Sequence, residues 1–444
     1  MTLRAPKLSL LVFAFGDFAF NLYWQSIMLF LLFYYTEALG LSIALAAAIY
    51  TAASVWDGIA NFIIGMVADR RGTQAGYGRI LVLGSVPLGL ACILTYAPPP
   101  SGAWGVALVI AGHLLFRTAY AALNIPYLAM GARISVDSHD RALVAGMRMV
   151  FGTAAWVVVA RGTVPIGAWL TGSSAAGAYL GAAMVFAAIA TGVLMLVGVT
   201  YRPAVEVEPQ GLRPSIAASL VALARNRAFV TLNLAMMAMI VAVTVLNKSV
   251  LYYFKYVVGD DAAGQSALAW MGLVSGMAVP LWMLLQRALG TRGLWFLAAG
   301  LCMAGLALFA EVEIRGASAM QIFLVAMQAA IVGLHFAFWA MLPNTIEYGA
   351  HATGQRVEAA VFGMAALLQR IAIGAATAIL GTSFASAGFV ANAEQDAATL
   401  AAMRWTLALV PLGFLALSCA AMWANPLGKG VHGRIVRGIG AENP

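Results

Sequence analysis

Long apolar stretches alternate with short polar links over almost the whole chain. A helix needs about 20 apolar residues to cross a bilayer, and the chain holds twelve such stretches. They lie at about 8–36, 41–67, 80–97, 104–130, 144–170, 176–200, 228–258, 266–286, 294–310, 319–342, 360–385 and 402–424. The pattern therefore predicts an all-α membrane protein with twelve transmembrane helices.

One link is longer than the others and divides the helices six and six. It reads YRPAVEVEPQGLRPSIAASLVALARNR, contains three prolines and mixed charge, and occupies 201–227. We therefore expect an N-terminal six-helix bundle at 1–200, a cytoplasmic linker at 201–227, a C-terminal bundle at 228–424 and a cytoplasmic tail at 425–444. Membrane proteins divided in this way commonly bind a solute between the two halves, near the middle of the membrane.

Composition and charge agree with a multi-pass protein of the cell membrane. Hydrophobic residues make up 63% of the chain and charged residues 9%, against about 25% charged in soluble domains. With both termini cytoplasmic, seventeen Lys and Arg residues fall in cytoplasmic segments and three in outer loops, as the positive-inside rule requires. The net charge of +8 is scattered over short loops, so no nucleic-acid partner is predicted.

The sequence gives little support for a function other than transport. The three cysteines lie far apart within apolar runs, so neither a disulfide framework nor a metal cluster is indicated. No cofactor is predicted. A membrane-embedded enzyme would need a nucleophile with a base, or metal ligands, inside the spans, and the corresponding motifs are missing from the sequence. A pump or a receptor would need a larger soluble domain than these loops can form.

Polar side chains line particular faces of three predicted helices, where a residue and its neighbour one turn later lie side by side. These faces are Asp17 with Asn21 and Gln25 on the first helix, Asp57 with Asn61 on the second, and Arg117 with Tyr120 and Asn124 on the fourth. Ionisable groups inside a membrane are costly and usually functional. A structural ion pair between helices is the alternative explanation.

The spans carry more positive than negative charge. Five cations (Arg117, Arg148, Arg161, Lys248 and Arg370) stand against two acids, Asp17 and Asp57. An anionic substrate would balance this surplus, although Lys248 could also reach outward to the interface. Arg148 is the natural partner of Asp57 or Asp17. We hypothesise that Asp57 faces a central cavity and is held ionised by Arg148, and that it changes partner when substrate or a cation enters.

Four stretches carry a resemblance to a known family: GDFAFNLYWQSIMLFLLFYYTEALGLS, VWDGIANFIIG, NIPYLAM and LPNTIEYGAHATGQRVEAAVFG. They resemble the glycoside-pentoside-hexuronide:cation symporters, the melibiose-permease branch of the major facilitator superfamily. The resemblance runs from the first helix to the twelfth. It implies the major facilitator fold, two bundles that rock about a central site, and a small-molecule substrate with H⁺ or Na⁺ as the ion of a symporter. We expect a monomer surrounded by membrane lipid.

The resemblance also implies roles for individual residues. Asp17 would recognise sugar hydroxyls and Arg148 would reach the bound sugar, while Asp57 and Asn61 would occupy the cation site. The family often has acids where this chain has Asn61, Asn124 and Asn344. The full set implied for substrate binding is Asp17, Asn21, Arg117, Tyr120, Asn124, Arg148, Trp339 and Arg370, and the set implied for coupling is Asp57, Asn61 and Asp17.

Two loop motifs resemble the gating elements of the superfamily. GMVADRRG contains Gly65, which we expect to permit close helix contact, together with Asp69 and Arg70, and Arg79 follows it. EYGAHATGQRVE is the expected counterpart in the second half. Its charged residues, Glu347, Arg356 and Glu358, would bridge helix ends when the inner gate is shut.

These observations favour a transporter of an acidic glycoside or hexuronide that works by alternating access. An asparagine can donate an oxygen but can neither neutralise sodium nor carry a proton, so we expect proton symport or uncoupled transport. The alternatives are a neutral glycoside:sodium symporter and a transporter of an amphipathic, lysolipid-like anion. His335 is the histidine we single out inside a helix near the expected site, as either a packing residue or a proton relay.

Overall fold

The computed structural model describes residues 7–71, 76–131, 134–135, 138–173, 175–202, 216–312, 314–353 and 357–428. Within these ranges the regular structure is entirely helical. The α-helices are α1 Lys7–Phe33, α2 Ile43–Arg71, α3 Tyr77–Thr95, α4 Ala103–Gly131, α5 Ser138–Thr171, α6 Ala176–Thr200, α7 Ile216–Arg225, α8 Arg227–Tyr253, α9 Asp261–Glu311, α10 Ala317–Met341, α11 Asn344–Thr353, α12 Glu358–Ser386 and α13 Ala397–Trp423. The predicted all-α class is confirmed.

Helix α9 corresponds to two membrane spans. It is 51 residues long, so as a straight helix it would measure about 77 Å, more than twice the hydrocarbon thickness of a bilayer. Gly290 interrupts it with φ 72° and ψ 165°, a conformation that favours glycine because glycine has no Cβ. The described residues contain eleven helical stretches that could span a membrane. Dividing α9 at Gly290 gives the twelve spans that the apolar pattern predicts.

The two short helices α7 and α11 were not predicted. Both are ten residues long, and the sequence pattern suggested linker and loop at these positions. Helix α10 ends at Met341 and α11 begins at Asn344. Pro343 lies between them and has no backbone N–H to donate, so it interrupts the helical hydrogen-bond pattern. Asn226 separates α7 from α8, caps α8 by accepting from the Phe229 amide at 3.0 Å and donates to the Thr345 carbonyl at 2.7 Å.

The chain separates into two compact units. The first comprises residues 1–210 with 268–276 and 390–393, and the second comprises 211–267, 277–389 and 394–444. The division after residue 210 falls inside the predicted linker, whose exact limits, like those of the tail, stay a prediction. The first unit contains α1 to α6, which carry the polar side chains described below.

Each unit contains the same helical feature. Helix α1 continues into a five-residue π-helix, Tyr34–Ala38, and the chain then turns at Gly40 with φ 69°. Helix α8, also 27 residues long, continues into a second five-residue π-helix, Phe254–Val258, and turns at Gly259 with φ 77°. This shared ending supports an internal repeat, for which the sequence pattern offers little beyond the helix count.

Small residues allow helices of the first unit to pack closely. A Cβ on Gly78 of α3 would lie 2.5 Å from the Gly198 carbonyl oxygen of α6, and a Cβ on Gly198 would lie 2.6 Å from the Gly78 carbonyl oxygen. Only glycine fits on both sides of such a contact. Small residues of this kind let helix backbones approach each other in membranes, where the hydrophobic effect contributes little to association.

Candidate functional site

Asp17 and Arg148 form an ion pair between α1 and α5. The Arg148 Nε and Nη2 atoms donate to Asp17 Oδ1 at 3.0 and 2.9 Å. The other carboxylate oxygen, Oδ2, accepts from Asn21 Nδ2 at 3.1 Å, and the Asn21 amide oxygen lies 3.4 Å from Gln25 Nε2. The side chains are 18% exposed for Asp17 and 27% for Arg148. Both charged side chains are therefore partly accessible to solvent.

A glycine on α5 allows α1 and α5 to approach each other at this pair. Gly152 lies one turn after Arg148, and a Cβ placed there would meet Asn21 Nδ2 at 3.2 Å and Asp17 Oδ2 at 3.3 Å. On the other side of Arg148, its guanidinium carbon lies 5.4 Å from the centre of the Tyr127 ring. Tyr127 is held in place by a hydrogen bond of 2.9 Å to the Phe13 carbonyl.

Asp57 and Arg117 form a second ion pair, between α2 and α4, which is shut off from solvent. Arg117 Nη1 lies 3.3 Å from Asp57 Oδ2, and the side chains are 1% and 0% exposed. Asn61 donates to Asp57 Oδ1 at 2.8 Å and to the Asp57 carbonyl at 2.7 Å. Nearby, Trp56 Nε1 donates to Thr118 Oγ1 at 2.8 Å, which ties α2 to α4 beside the pair.

The hypothesis that Arg148 holds Asp57 in a central cavity is wrong. Asp57 pairs with Arg117, and Arg148 pairs with Asp17. Asp57 is also fully buried, with no exposed side-chain surface. The physical reason is helix packing: α1 lies against α5, whereas α2 lies against α4, so each acid meets the arginine of its own neighbouring helix.

His113 extends the second pair into a longer buried network. Arg117 Nε donates to His113 Nε2 at 3.2 Å, and His113 Nδ1 lies 3.2 Å from the Tyr35 hydroxyl. An arginine nitrogen can only donate, so Nε2 is the unprotonated nitrogen of a neutral ring and Nδ1 carries the proton. His113 and Tyr35 are both fully buried. The network thus runs from the π-helix that follows α1 through α4 to α2.

Aromatic rings surround the Arg117 side chain. The Arg117 guanidinium carbon lies 5.4 Å from the Trp24 ring and 5.5 Å from the Tyr50 ring, distances suited to cation–π attraction. Trp24 contacts Tyr120 with a centroid distance of 5.9 Å. On α4, Asn124 Nδ2 lies 3.4 Å from the Tyr120 hydroxyl.

Predicted site residues of the second unit have more varied surroundings. Trp339 is 52% exposed and contacts Phe338 edge-on at 5.2 Å. Lys248 is 5% exposed, while Arg370, Asn344 and Glu347 are half-buried. In the first unit, Arg161 is exposed, unlike the buried cation that its position in a span suggests. His335 Nδ1 lies 3.2 Å from the Ile331 carbonyl in its own helix.

The predicted gating residues fall partly outside the described structure. Arg356 lies beyond the described residues, and the side chains of Asp69, Arg70 and Glu358 are outside the described part, although their backbones belong to α2 and α12. Arg79 is exposed on α3. Among the described residues the expectation that Gly65 permits a close helix contact is wrong, because a Cβ there would meet none of their atoms within 4 Å.

Neither His113 nor Tyr35 was predicted as a site residue from the sequence, and His335 was singled out instead. His113 stands four residues before Arg117, a spacing that places both on one face of a helix, so a signal was present. Tyr35, Tyr50, Trp24 and Gly152 gave no such signal. Their parts in the network depend on which helices pack together.

This chain is similar along most of its length to known transport proteins. A family model described as MFS/sugar transport protein matches residues 12–429. The glucuronide carrier protein homolog of Escherichia coli is 26% identical over 427 residues, which cover 94% of this chain and 91% of that protein. The isoprimeverose transporter of Lactiplantibacillus pentosus is 23% identical over 419 residues, 92% of this chain and 86% of that protein.

A solved structure shares the fold. It is a bacterial homologue of the human lysosomal transporter Spinster, crystallised in an inward-facing and unoccupied conformation. The TM-score is 0.69 at 12% sequence identity, with 97% of this chain and 96% of that chain covered.

Proposed function

Because this chain belongs to the MFS/sugar transport protein family, we propose that it is a secondary transporter of an acidic, sugar-like solute that works by alternating access. The observation that carries the proposal is the Asp17–Arg148 pair. Asp17 offers carboxylate oxygens to sugar hydroxyls, while Arg148 and Asn21 offer N–H donors. The partial exposure of both charged side chains leaves room for a solute to compete for these hydrogen bonds.

Charge balance supports an acidic solute. Asp17 and Asp57 each face an arginine already, so neither is left to neutralise a further cation in the spans. The predicted spans hold five cations against two acids, a surplus of positive charge that an anionic solute would reduce. The similarity to a glucuronide carrier homolog agrees with this, since a glucuronide carries a carboxylate. The similarity to an isoprimeverose transporter keeps a neutral glycoside as the second candidate.

The coupling ion we propose is the proton, or none. Sodium sites in transporters are built from several oxygens, including unwound backbone carbonyls. Here both oxygens of Asp57 already accept hydrogen bonds, from Asn61 and Arg117. The neighbouring position, where a second acid would strengthen a sodium site, is Asn61. We further propose a monomer with both termini cytoplasmic and without enzymatic activity.

Uptake into proteoliposomes without ATP tests the proposal. We expect accumulation of a labelled glucuronide, competition by unlabelled hexuronides and weak competition by neutral galactosides. Inhibition by neutral galactosides but not by glucuronides would contradict the acidic substrate. A sodium gradient and a proton gradient are then imposed separately. Accumulation driven by sodium alone at constant pH would contradict the proposed coupling.

A further inference from the structure

The Arg117 guanidinium is held by side chains from three helices. Asp57 of α2 accepts from Nη1 and His113 of α4 accepts from Nε. The Trp24 ring of α1 and the Tyr50 ring of α2 lie 5.4 and 5.5 Å from the guanidinium carbon. Salt bridges on a protein surface have no such enclosure. These surroundings resemble a binding site for a monovalent cation, and the cation in this site is the Arg117 guanidinium of the protein itself.

We propose that Arg117 is a tethered cation that permanently occupies the place at Asp57 where a free monovalent cation would otherwise bind, and that His113 is the positioning residue that keeps it there. The inference deepens the proposed function, because it explains why transport would not depend on sodium. In this arrangement Asp57 binds the Arg117 guanidinium and does not couple transport to a free cation.

The physical basis is competition for one dry carboxylate. A buried carboxylate is stable only when a positive charge lies next to it. A side chain supplies that charge at a high effective concentration, because it cannot diffuse away. A dissolved cation must compete with it and must also give up its water. In the wild-type site, sodium therefore fails to bind to Asp57 while Arg117 is in place, and reaches this carboxylate only when the guanidinium is removed or displaced.

His113 has a specific part in this arrangement. Its Nε2 atom accepts from Arg117 Nε, while its Nδ1 atom faces the Tyr35 hydroxyl. Glutamine is the closest substitute, since its amide can both accept and donate. Leucine has a similar size but offers neither function. A comparison of these two substitutions separates the hydrogen-bonding role of His113 from simple packing.

The test uses purified protein and needs no substrate. Thermal unfolding of wild type and Arg117→Ala is measured at mildly alkaline pH in sodium, lithium, N-ethylguanidinium and choline chloride at equal ionic strength. We expect wild type to unfold at the same temperature in all four salts. Arg117→Ala should unfold earlier in choline and should recover part of the loss in sodium, lithium or N-ethylguanidinium.

Two controls make the result decisive. The double variant Asp57→Asn/Arg117→Gln has neither charge and should show no response to cations. His113→Leu keeps both charges and should show a small sodium response, which His113→Gln should lack. If Arg117→Ala does not fold, the result with His113→Leu decides the test. The absence of any cation response in Arg117→Ala and in His113→Leu, or an equal response in wild type, would overturn the proposal. Failure of the sugar uptake assay alone would refute only the proposed function.

Discussion

The described residues of the first unit form two Asp–Arg pairs of the same chemistry in different surroundings. In Asp57–Arg117 the side chains are 0% and 1% exposed, and a histidine, an asparagine and two aromatic rings enclose them. In Asp17–Arg148 they are 18% and 27% exposed. Water can replace a lost partner in the second pair but not in the first. The enclosed pair thus joins two helices in a dry environment, whereas the exposed pair is accessible to solvent.

Removing one charge from the enclosed pair should have the largest effect. Asp57→Asn leaves the Arg117 charge buried without a carboxylate, and stranding one member of a buried pair costs about 3–5 kcal/mol of unfolding free energy. Asp17→Asn should cost only about 1 kcal/mol, because the remaining arginine is partly exposed. Thermal unfolding of the two purified variants checks the difference. Equal losses would mean that the two pairs are not distinguished by their burial.

Substitution of Asp17 in the more exposed pair should reduce uptake strongly while changing the unfolding stability little. Asp17→Asn removes a charged acceptor, and hydrogen bonds to charged groups contribute about 1.5–3 kcal/mol, so uptake at low substrate concentration should fall by about tenfold or more. Arg148→Lys is the companion variant, since lysine keeps the charge but loses the pair of nitrogens that face Asp17. Normal uptake by Asp17→Asn at equal expression would remove this pair from the substrate site.

Most of the fold could be predicted from the sequence, because membrane helices follow directly from long apolar runs. Even the two spans within α9 were separated correctly by the apolar pattern, on either side of Gly290. The short helices α7 and α11 were missed, since ten residues with mixed polarity carry a weak periodic signal. They depend on tertiary contacts such as the hydrogen bond from Asn226 to Thr345.

The candidate site was predicted by residue type but not by pairing. Asp17, Asp57, Arg117 and Arg148 were all recognised as charges inside spans. Their partners depend on which helix packs against which and on the rotation of each helix about its axis. Neither property is encoded in spacing along a single helix. The same limit explains Gly65, which was expected at a close contact that the described residues do not form.

A second acid beside the enclosed pair should introduce a modest sodium response. Asn61→Asp replaces the amide that donates to Asp57 Oδ1 at 2.8 Å with a carboxylate, so two acids would share one arginine. One negative charge would then lack a partner, and sodium should stimulate uptake a few-fold. Asn124→Asp is the control, since it adds the same charge on α4 next to Tyr120. A similar sodium response in both variants would show that any added acid suffices.

The smallest effect should come from added bulk at the more exposed pair. Gly152→Ala places a methyl group 3.2 Å from Asn21 Nδ2 and 3.3 Å from Asp17 Oδ2, closer than the usual optimum of about 3.5–4.0 Å between carbon atoms. Asn21 and the carboxylate must then shift by a fraction of an ångström, although alanine favours the helix by about 0.5–1 kcal/mol. We therefore expect a KM raised a few-fold with unfolding stability unchanged or slightly increased.

Gly146→Ala on the same helix is the matched control, because a Cβ there meets no described atom within 4 Å, and its KM should stay normal. Equal KM values for the two variants would place Asp17 and Asn21 outside the path of the solute.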